Sequence, residues 1–171
     1  MVGEQSDRPV ALVTGASYGL GAEIARTLAR DGFDVAVTEL NKDDLAGTVA
    51  SVEVEGARAL AVTLDVCSME SIDNAVAETN GAFGQIDVLV NNAGRLLMKP
   101  ALEIKLNEWK QVMEVNVTGT YFMSQCVARR MVDADRPGCI INIASTFTLM
   151  GAPNVSAYGI SKAAVGGITR H

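Results

Sequence analysis

Tyr158-Gly-Ile-Ser-Lys162 sets a phenol and an ammonium four residues apart. In a helix that spacing puts both on one face. A lysine cation beside a tyrosine favours the phenolate and lowers the tyrosine pKa from about 10. The phenol can then exchange a proton with a carbonyl or an alcohol near neutral pH. Ordinary helix-surface pairs produce the same spacing, so the pattern needs company. Ser145 follows an apolar run upstream of Tyr158, and Asn91-Asn92-Ala93-Gly94 closes another. Asn116 and Gly119 lie inside a long amphipathic stretch, where both are poor helix formers. Such departures from local preference are expected where a site is built.

A second group of residues could hold a phosphate. The run Thr14-Gly15-Ala16-Ser17-Tyr18-Gly19-Leu20-Gly21 follows the apolar segment Val10-Ala-Leu-Val-Thr14 and leads into a helical pattern. Glycines there let the backbone approach a pyrophosphate, and the helix start offers unpaired N–H groups and the positive end of its dipole. A simple tight turn is the alternative, but the strand–turn–helix context favours a dinucleotide site. Glu39 ends the next apolar segment. A carboxylate in that place can accept hydrogen bonds from ribose hydroxyls and repels a 2′-phosphate. Asp65-Val66 ends the third such segment; taken alone, Asp65 reads as a turn or cap residue.

Short apolar runs and longer amphipathic ones must carry these groups. Strands are predicted at Val10–Thr14, Asp34–Thr38, Arg58–Leu64, Val88–Asn91 and Cys139–Ala144. Helices are predicted over Leu20–Arg30, closed by Asp31-Gly32, and from Lys42 to about Glu55, stopped at Gly56. A third, capped by Ser68, should run to about Phe83, a long one from about Asn107 to Val132, and a last one from Ala157 to His171. The strict alternation argues for one α/β domain over residues 1–171, with a parallel sheet and helices on both faces. Ligands of such sheets sit at the carboxyl ends of the strands. That edge should include the loop from Thr146 to Ser156, whose Phe147, Leu149 and Met150 offer a partly apolar wall to a substrate or serve only in packing.

The glycine spacing, Asn91-Asn92-Ala93-Gly94, Asn116, Ser145 and Tyr158-x-x-x-Lys162 occur together in an order that resembles the short-chain dehydrogenase/reductase family, over Val10 to His171. The resemblance implies a Rossmann-type doubly wound parallel sheet in three α/β/α layers. It implies interconversion of a secondary alcohol and a ketone with a nicotinamide cofactor. Tyr158 would be the general acid/base. Lys162 would hold the nicotinamide ribose and depress the Tyr158 pKa. Ser145 would orient the reacting oxygen, and Asn116 would hold a water linking Lys162 to solvent. Gly15, Ser17, Tyr18, Gly19, Leu20, Gly21, Glu39, Leu40, Asp65, Val66, Asn92, Ala93, Gly94, Tyr158 and Lys162 would line the cofactor site. NADP-preferring relatives tend to carry a basic residue where Tyr18 or Leu40 stands, so NAD is expected, with nearby Lys42 leaving room for NADP. A 3-oxoacyl thioester reductase using NADPH and a catalytically inactive nucleotide-binding or structural fragment are the alternatives. The family usually extends further, so the fold is expected to be incomplete at its C-terminal side, and a homodimer or homotetramer is expected of the full-length protein, with Val127 and Met131 as interface or core.

Composition removes other classes. A net charge of −6 without a basic block disfavours nucleic acid and anionic membranes. Arg129-Arg130 reads as a solvated helix face, and Met1 to Arg8 is too polar for a leader peptide. No apolar run approaches the ~20 residues of a membrane helix. Cys67, Cys126 and Cys139 lack metal-ligand spacing, and lone His171 has no partner, so no metal is expected. Three reduced thiols in or near the core, in a cytoplasmic protein, is the resulting expectation.

Overall fold

The structure is a computed structural model that describes residues 7–171. Of the polar opening stretch, Met1 to Ser6 lie outside the described residues. Five parallel strands, β1 (Val10–Val13), β2 (Asp34–Glu39), β3 (Ala59–Thr63), β4 (Val88–Asn91) and β5 (Cys139–Asn142), form one sheet in the order β3-β2-β1-β4-β5. The register pairs Leu12 with Ala36 and with Leu89, and Leu89 with Ile140. The order reverses beside β1, so a crevice opens at the carboxyl ends of β1 and β4, where doubly wound sheets bind ligands.

Alternation along the strands builds two cores. Leu12, Ala36, Val62 and Leu89 point to one face and pack against Ile72 and Val76 of α3 (Met69–Phe83) and Met123, Val127 and Met131 of α5 (Thr120–Asp133). Val13, Val35, Val37 and Val90 point to the other and pack against Ala25 and Ala29 of α1 (Gly19–Arg30) and Val52 of α2 (Ala46–Val54). Val127 and Met131 are therefore core residues. Ser68 does cap α3, its Oγ accepting the Ser71 N–H at 3.3 Å, and Gly84 closes it in the left-handed conformation. The segment expected as one helix from Lys42 splits: Lys42–Leu45 is a tight 3₁₀ turn opened by Asn41, whose side chain accepts the Asp43 N–H, and α2 follows.

Two expectations need correction. The long helix is not continuous in phase. It comprises α4 (Leu106–Met113), a π-helical turn Glu114–Gly119, and α5. The wider turn inserts an extra residue at Asn116, the kind of bulge that concentrates at functional sites. The thiols are not all inside either. Cys67 and Cys139 are exposed and only Cys126 is half-buried, although all three are free. Cys67 lies in the turn after β3, and Cys139 opens β5, an edge strand paired on one side only. The final helix, α6 (Ser156–Ile168), begins one residue early and ends before His171. No described helix is long and apolar enough to cross a membrane.

Gly119 is where the π-helical turn meets the rest of the fold. A methyl group there would lie 2.8 Å from Val66 Cβ and 2.9 Å from the Val66 carbonyl oxygen. Gly119→Ala should therefore lower stability by about 1–3 kcal/mol, as overpacking does. Gly81→Ala, in α3 and with nothing within 4 Å of the added methyl, should instead raise it by about 0.5–1 kcal/mol. Urea midpoints at unchanged slope measure both; equal shifts in the two variants would contradict the packing.

Candidate functional site

The crevice holds a cleft of about 520 Å³ lined by Gly15, Ser17, Tyr18, Gly19, Leu20, Gly21, Glu39, Leu40, Asp65, Val66, Asn92, Ala93 and Gly94. These are the residues singled out from the sequence, Tyr158 and Lys162 apart. Thr38, Asp44, Leu64, Arg95 and Val115 line it as well. Thr38, Leu64 and Arg95 adjoin predicted residues in the chain and were within reach of sequence reasoning. Asp44 and Val115 come in from other elements, and no local signal marks them.

The glycine turn is shaped by what its glycines exclude. A Cβ on Gly21 would run into the Gly15 carbonyl oxygen, and one on Gly15 would lie 2.8 Å from Ala93 Cα. Gly15 and Gly19 both have φ near +60° (63° and 61°), where side chains are disfavoured. At Gly19, by contrast, nothing lies within 4 Å of the Cβ position. The backbone is bare there, next to the start of α1, whose first turn has no side-chain cap and no acidic residue. Uncapped N–H groups and the helix dipole thus face open space, which suits a pyrophosphate. The buried Thr38 hydroxyl also finds no partner among the described residues. Both observations fit a dinucleotide, with Glu39 at the ribose side.

Asn92 fixes this turn. Its Nδ2 donates to the carbonyl oxygens of Thr14 (3.0 Å) and Gly15 (2.7 Å), while Thr14 Oγ1 accepts the N–H groups of Asn92 and Ala93, each at 3.0 Å. Asp65 serves two purposes. It is a turn residue, its carboxylate accepting the Cys67 N–H at 2.9 Å, and it faces the cleft.

Beyond Gly94 lies the second group. Lys162 is only 5% exposed, and its Nζ donates to the Ile143 carbonyl oxygen at 2.5 Å. Burial pushes its pKa below the usual lysine value. The ammonium sits 5.8 Å from the centre of the Tyr158 ring, and Phe147 meets that ring edge-on at 6.3 Å. A Cβ on Gly94 would be 3.7 Å from Lys162 Nζ, which places the lysine against the end of the cleft. Ser145 caps a short turn, Thr146–Thr148, with its Oγ accepting the Phe147 N–H. Its own N–H donates to Thr148 Oγ1, which in turn donates to the Lys162 carbonyl oxygen. The Ser145 turn is thereby tied to α6. Phe147, Leu149 and Met150 do line a cavity, of about 360 Å³, beside Ile160 of α6.

Asn116 is buried, and its amide is largely spent. Oδ1 accepts the Arg95 N–H at 2.7 Å; Nδ2 donates to the Arg95 carbonyl oxygen at 3.0 Å and to Ser161 Oγ at 2.9 Å. Both amide hydrogens are used, so a water at this side chain has only an Oδ1 lone pair to meet. Ser161, which sequence reasoning passed over, donates in turn to the Tyr158 carbonyl oxygen at 2.7 Å. Its partner Asn116 is distant in sequence, and only the fold brings the two together.

The family model described as short chain dehydrogenase matches residues 9–171. The L-2,3-butanediol dehydrogenase of Corynebacterium glutamicum is 40% identical over 163 residues, 94% of this chain and 63% of the relative. An NAD+-bound xylitol dehydrogenase superposes with a TM-score of 0.90 at 35% identity, over 94% of this chain and 62% of that one. A metagenomic short-chain oxidoreductase in complex with NADP gives 0.88 at 33%, over 95% and 73%. The chain thus spans about 63% of the length of the curated relative.

Asn116→Ala should strip the Arg95 N–H and carbonyl of their side-chain partner and Ser161 Oγ of its donor, at a cost of about 1–3 kcal/mol. Asn116→Asp keeps the acceptor for the Arg95 N–H but sets a carboxylate oxygen against the Arg95 carbonyl oxygen, so it should protect the Arg95 amide without restoring stability. Amide exchange at Arg95, together with urea midpoints, reads both; unchanged exchange in Asn116→Ala would show that the bond does not hold the loop.

Proposed function

The chain belongs to the short chain dehydrogenase family, and from that premise we propose that it is the nucleotide-binding and reactive part of an NAD(P)-dependent oxidoreductase that interconverts a secondary alcohol and a ketone. The observation that carries this reading is the placement of buried Lys162 beside Tyr158 and against Gly94, at the end of the cleft opened by the glycine turn.

A bound nicotinamide dinucleotide supplies or accepts the hydride. The protein's task is to position the reactants and handle the proton. Uncapped N–H groups at the start of α1 take the pyrophosphate, and Glu39 takes the adenosine ribose. In alcohol oxidation Tyr158 accepts the hydroxyl proton; in ketone reduction it returns it. Ser145 Oγ hydrogen-bonds the reacting oxygen and orients it. Lys162 holds the nicotinamide ribose beside the Tyr158 ring. Asn116 keeps the loop that bears Gly94 and Arg95 in place and offers its remaining lone pair to a water between Lys162 and solvent. The small-molecule site lies beside the Phe147 wall, which suits a partly apolar alcohol or ketone.

NAD is the preferred cofactor in this reading. Glu39 faces the ribose side, and neither Tyr18 nor Leu40 offers a cation. Lys42 is turned toward Glu78, 3.6 Å away, rather than toward the cleft. The full-length protein is proposed to assemble as a homodimer or homotetramer, and an apolar groove formed by Leu106 and Trp109 of α4, Ile160 of α6 and Ile104 just before α4 supports a subunit contact there.

Two measurements test the chemistry and the cofactor. Tyr158→Phe keeps the ring and should keep nucleotide affinity, while turnover of the full-length enzyme falls by roughly 10²–10⁴; near-normal turnover would refute the acid/base role. NAD should bind more tightly than NADP, and Glu39→Ser should narrow the gap by about 1.5–3 kcal/mol. Tighter binding of NADP by the unaltered chain would reverse the assignment.

A further inference from the structure

Ser17 belongs to the glycine turn, yet its side chain is directed at Glu39 across the cleft. Ser17 Oγ donates to Glu39 Oε2 at 2.7 Å, and the Leu40 N–H donates to Oε1 at 3.0 Å. Each carboxylate oxygen is thus held by one donor and keeps further acceptor capacity for a ribose diol. A serine hydroxyl has one hydrogen, and here it is committed to the carboxylate. In this arrangement Ser17 has no hydrogen left for a phosphate.

The backbone beneath Ser17 is fixed as well. Thr48 of α2, buried, donates from Oγ1 to the Ala16 carbonyl oxygen at 2.7 Å, and the Ala16 N–H donates to the Thr38 carbonyl oxygen at 2.9 Å. Glutamate otherwise has rotamer freedom that must be given up on binding. Fixing it before the ligand arrives lowers the cost of binding.

We propose that Ser17 is a positioning residue for nucleotide selection: it holds the Glu39 carboxylate at the ribose side, so that discrimination between a 2′-hydroxyl and a 2′-phosphate belongs to the Ser17–Glu39 pair and not to Glu39 alone. This rests on the NAD(P)-binding reading above. Without the hydroxyl, Glu39 keeps only the Leu40 N–H and can swing outward. The ribose then loses a pre-set acceptor, and a 2′-phosphate meets a charge that can retreat.

The test is calorimetric titration of this chain with NAD and with NADP, for the unaltered protein, Ser17→Ala, Ser17→Thr, Glu39→Gln and the Ser17→Ala/Glu39→Gln double variant. Ser17→Ala should weaken NAD binding by roughly three- to tenfold, the scale of one ordinary hydrogen bond, and leave NADP unchanged or tighter. Ser17→Thr, which keeps a hydroxyl, should retain the NAD/NADP ratio to within about twofold. In the Glu39→Gln background Ser17→Ala should change the NAD/NADP ratio little, because the carboxylate charge that Ser17 positions against a 2′-phosphate is gone. An equal loss for both nucleotides, an undiminished effect in the Glu39→Gln background, or a Ser17→Thr variant that behaves like Ser17→Ala would each overturn the proposal. Binding of neither nucleotide by the unaltered chain would instead bring down the NAD(P) reading, and this inference with it.

Discussion

The glycine turn after β1 cannot hold its own shape. It has too few side chains, and its backbone must stay bare on the side that meets a ligand. Its shape comes from β4, through the hydrogen bonds that Asn92 and Ala93 exchange with Thr14 and Gly15. Gly21 can pack against the Gly15 carbonyl oxygen and Asn92 only because it has no Cβ. β1 and β4 are neighbours in the sheet although they are far apart in the chain. The sheet order therefore comes first, and the shape of the glycine turn is a consequence of it.

From the same end of β4 a second set of bonds reaches the reactive helix. The Arg95 main chain is gripped by Asn116, Asn116 by Ser161, and Ser161 holds the Tyr158 carbonyl oxygen in the first turn of α6. Lys162, one residue on, is driven into a dry position where its charge is less stable than in water. The Ile143 carbonyl oxygen offsets part of that cost. The cleft and the Tyr158–Lys162 pair thus share one support, so a disturbance at Asn116 should be felt at both.

Much of this was legible in the sequence, for physical reasons. β4 has the predicted bounds because a fully apolar run ends at a polar Asn pair. α3 begins where the Ser68 side chain can cap it. The phosphate turn announces itself through glycines that no other element would tolerate. The phase break at Asn116 was not legible, although that residue and Gly119 looked out of place in a helix: a helical pattern does not show where an extra residue is absorbed. The exposure of Cys67 and Cys139 was missed because residue type reports average burial, while exposure here follows from a turn and an edge strand. Thr48 and Ser161 escaped notice because a hydroxyl is informative only once its partner is known, and Ala16 and Asn116 lie in other elements.

The π-helical turn also decides where this stretch can change length. In an α-helix each residue advances the rotation by about 100°, whereas the wider turn at Glu114–Gly119 takes in one residue more over the same rotation. Loss of one residue between Glu114 and Gly119 would let the segment relax into an ordinary α-helix while Met123, Val127 and Met131 keep facing the core they fill. What would go is the widened backbone that seats Asn116 beside Arg95 and Ser161. A residue lost from α5 itself has no such slack: the rest of that helix would turn by about 100° and carry its apolar stripe off the sheet.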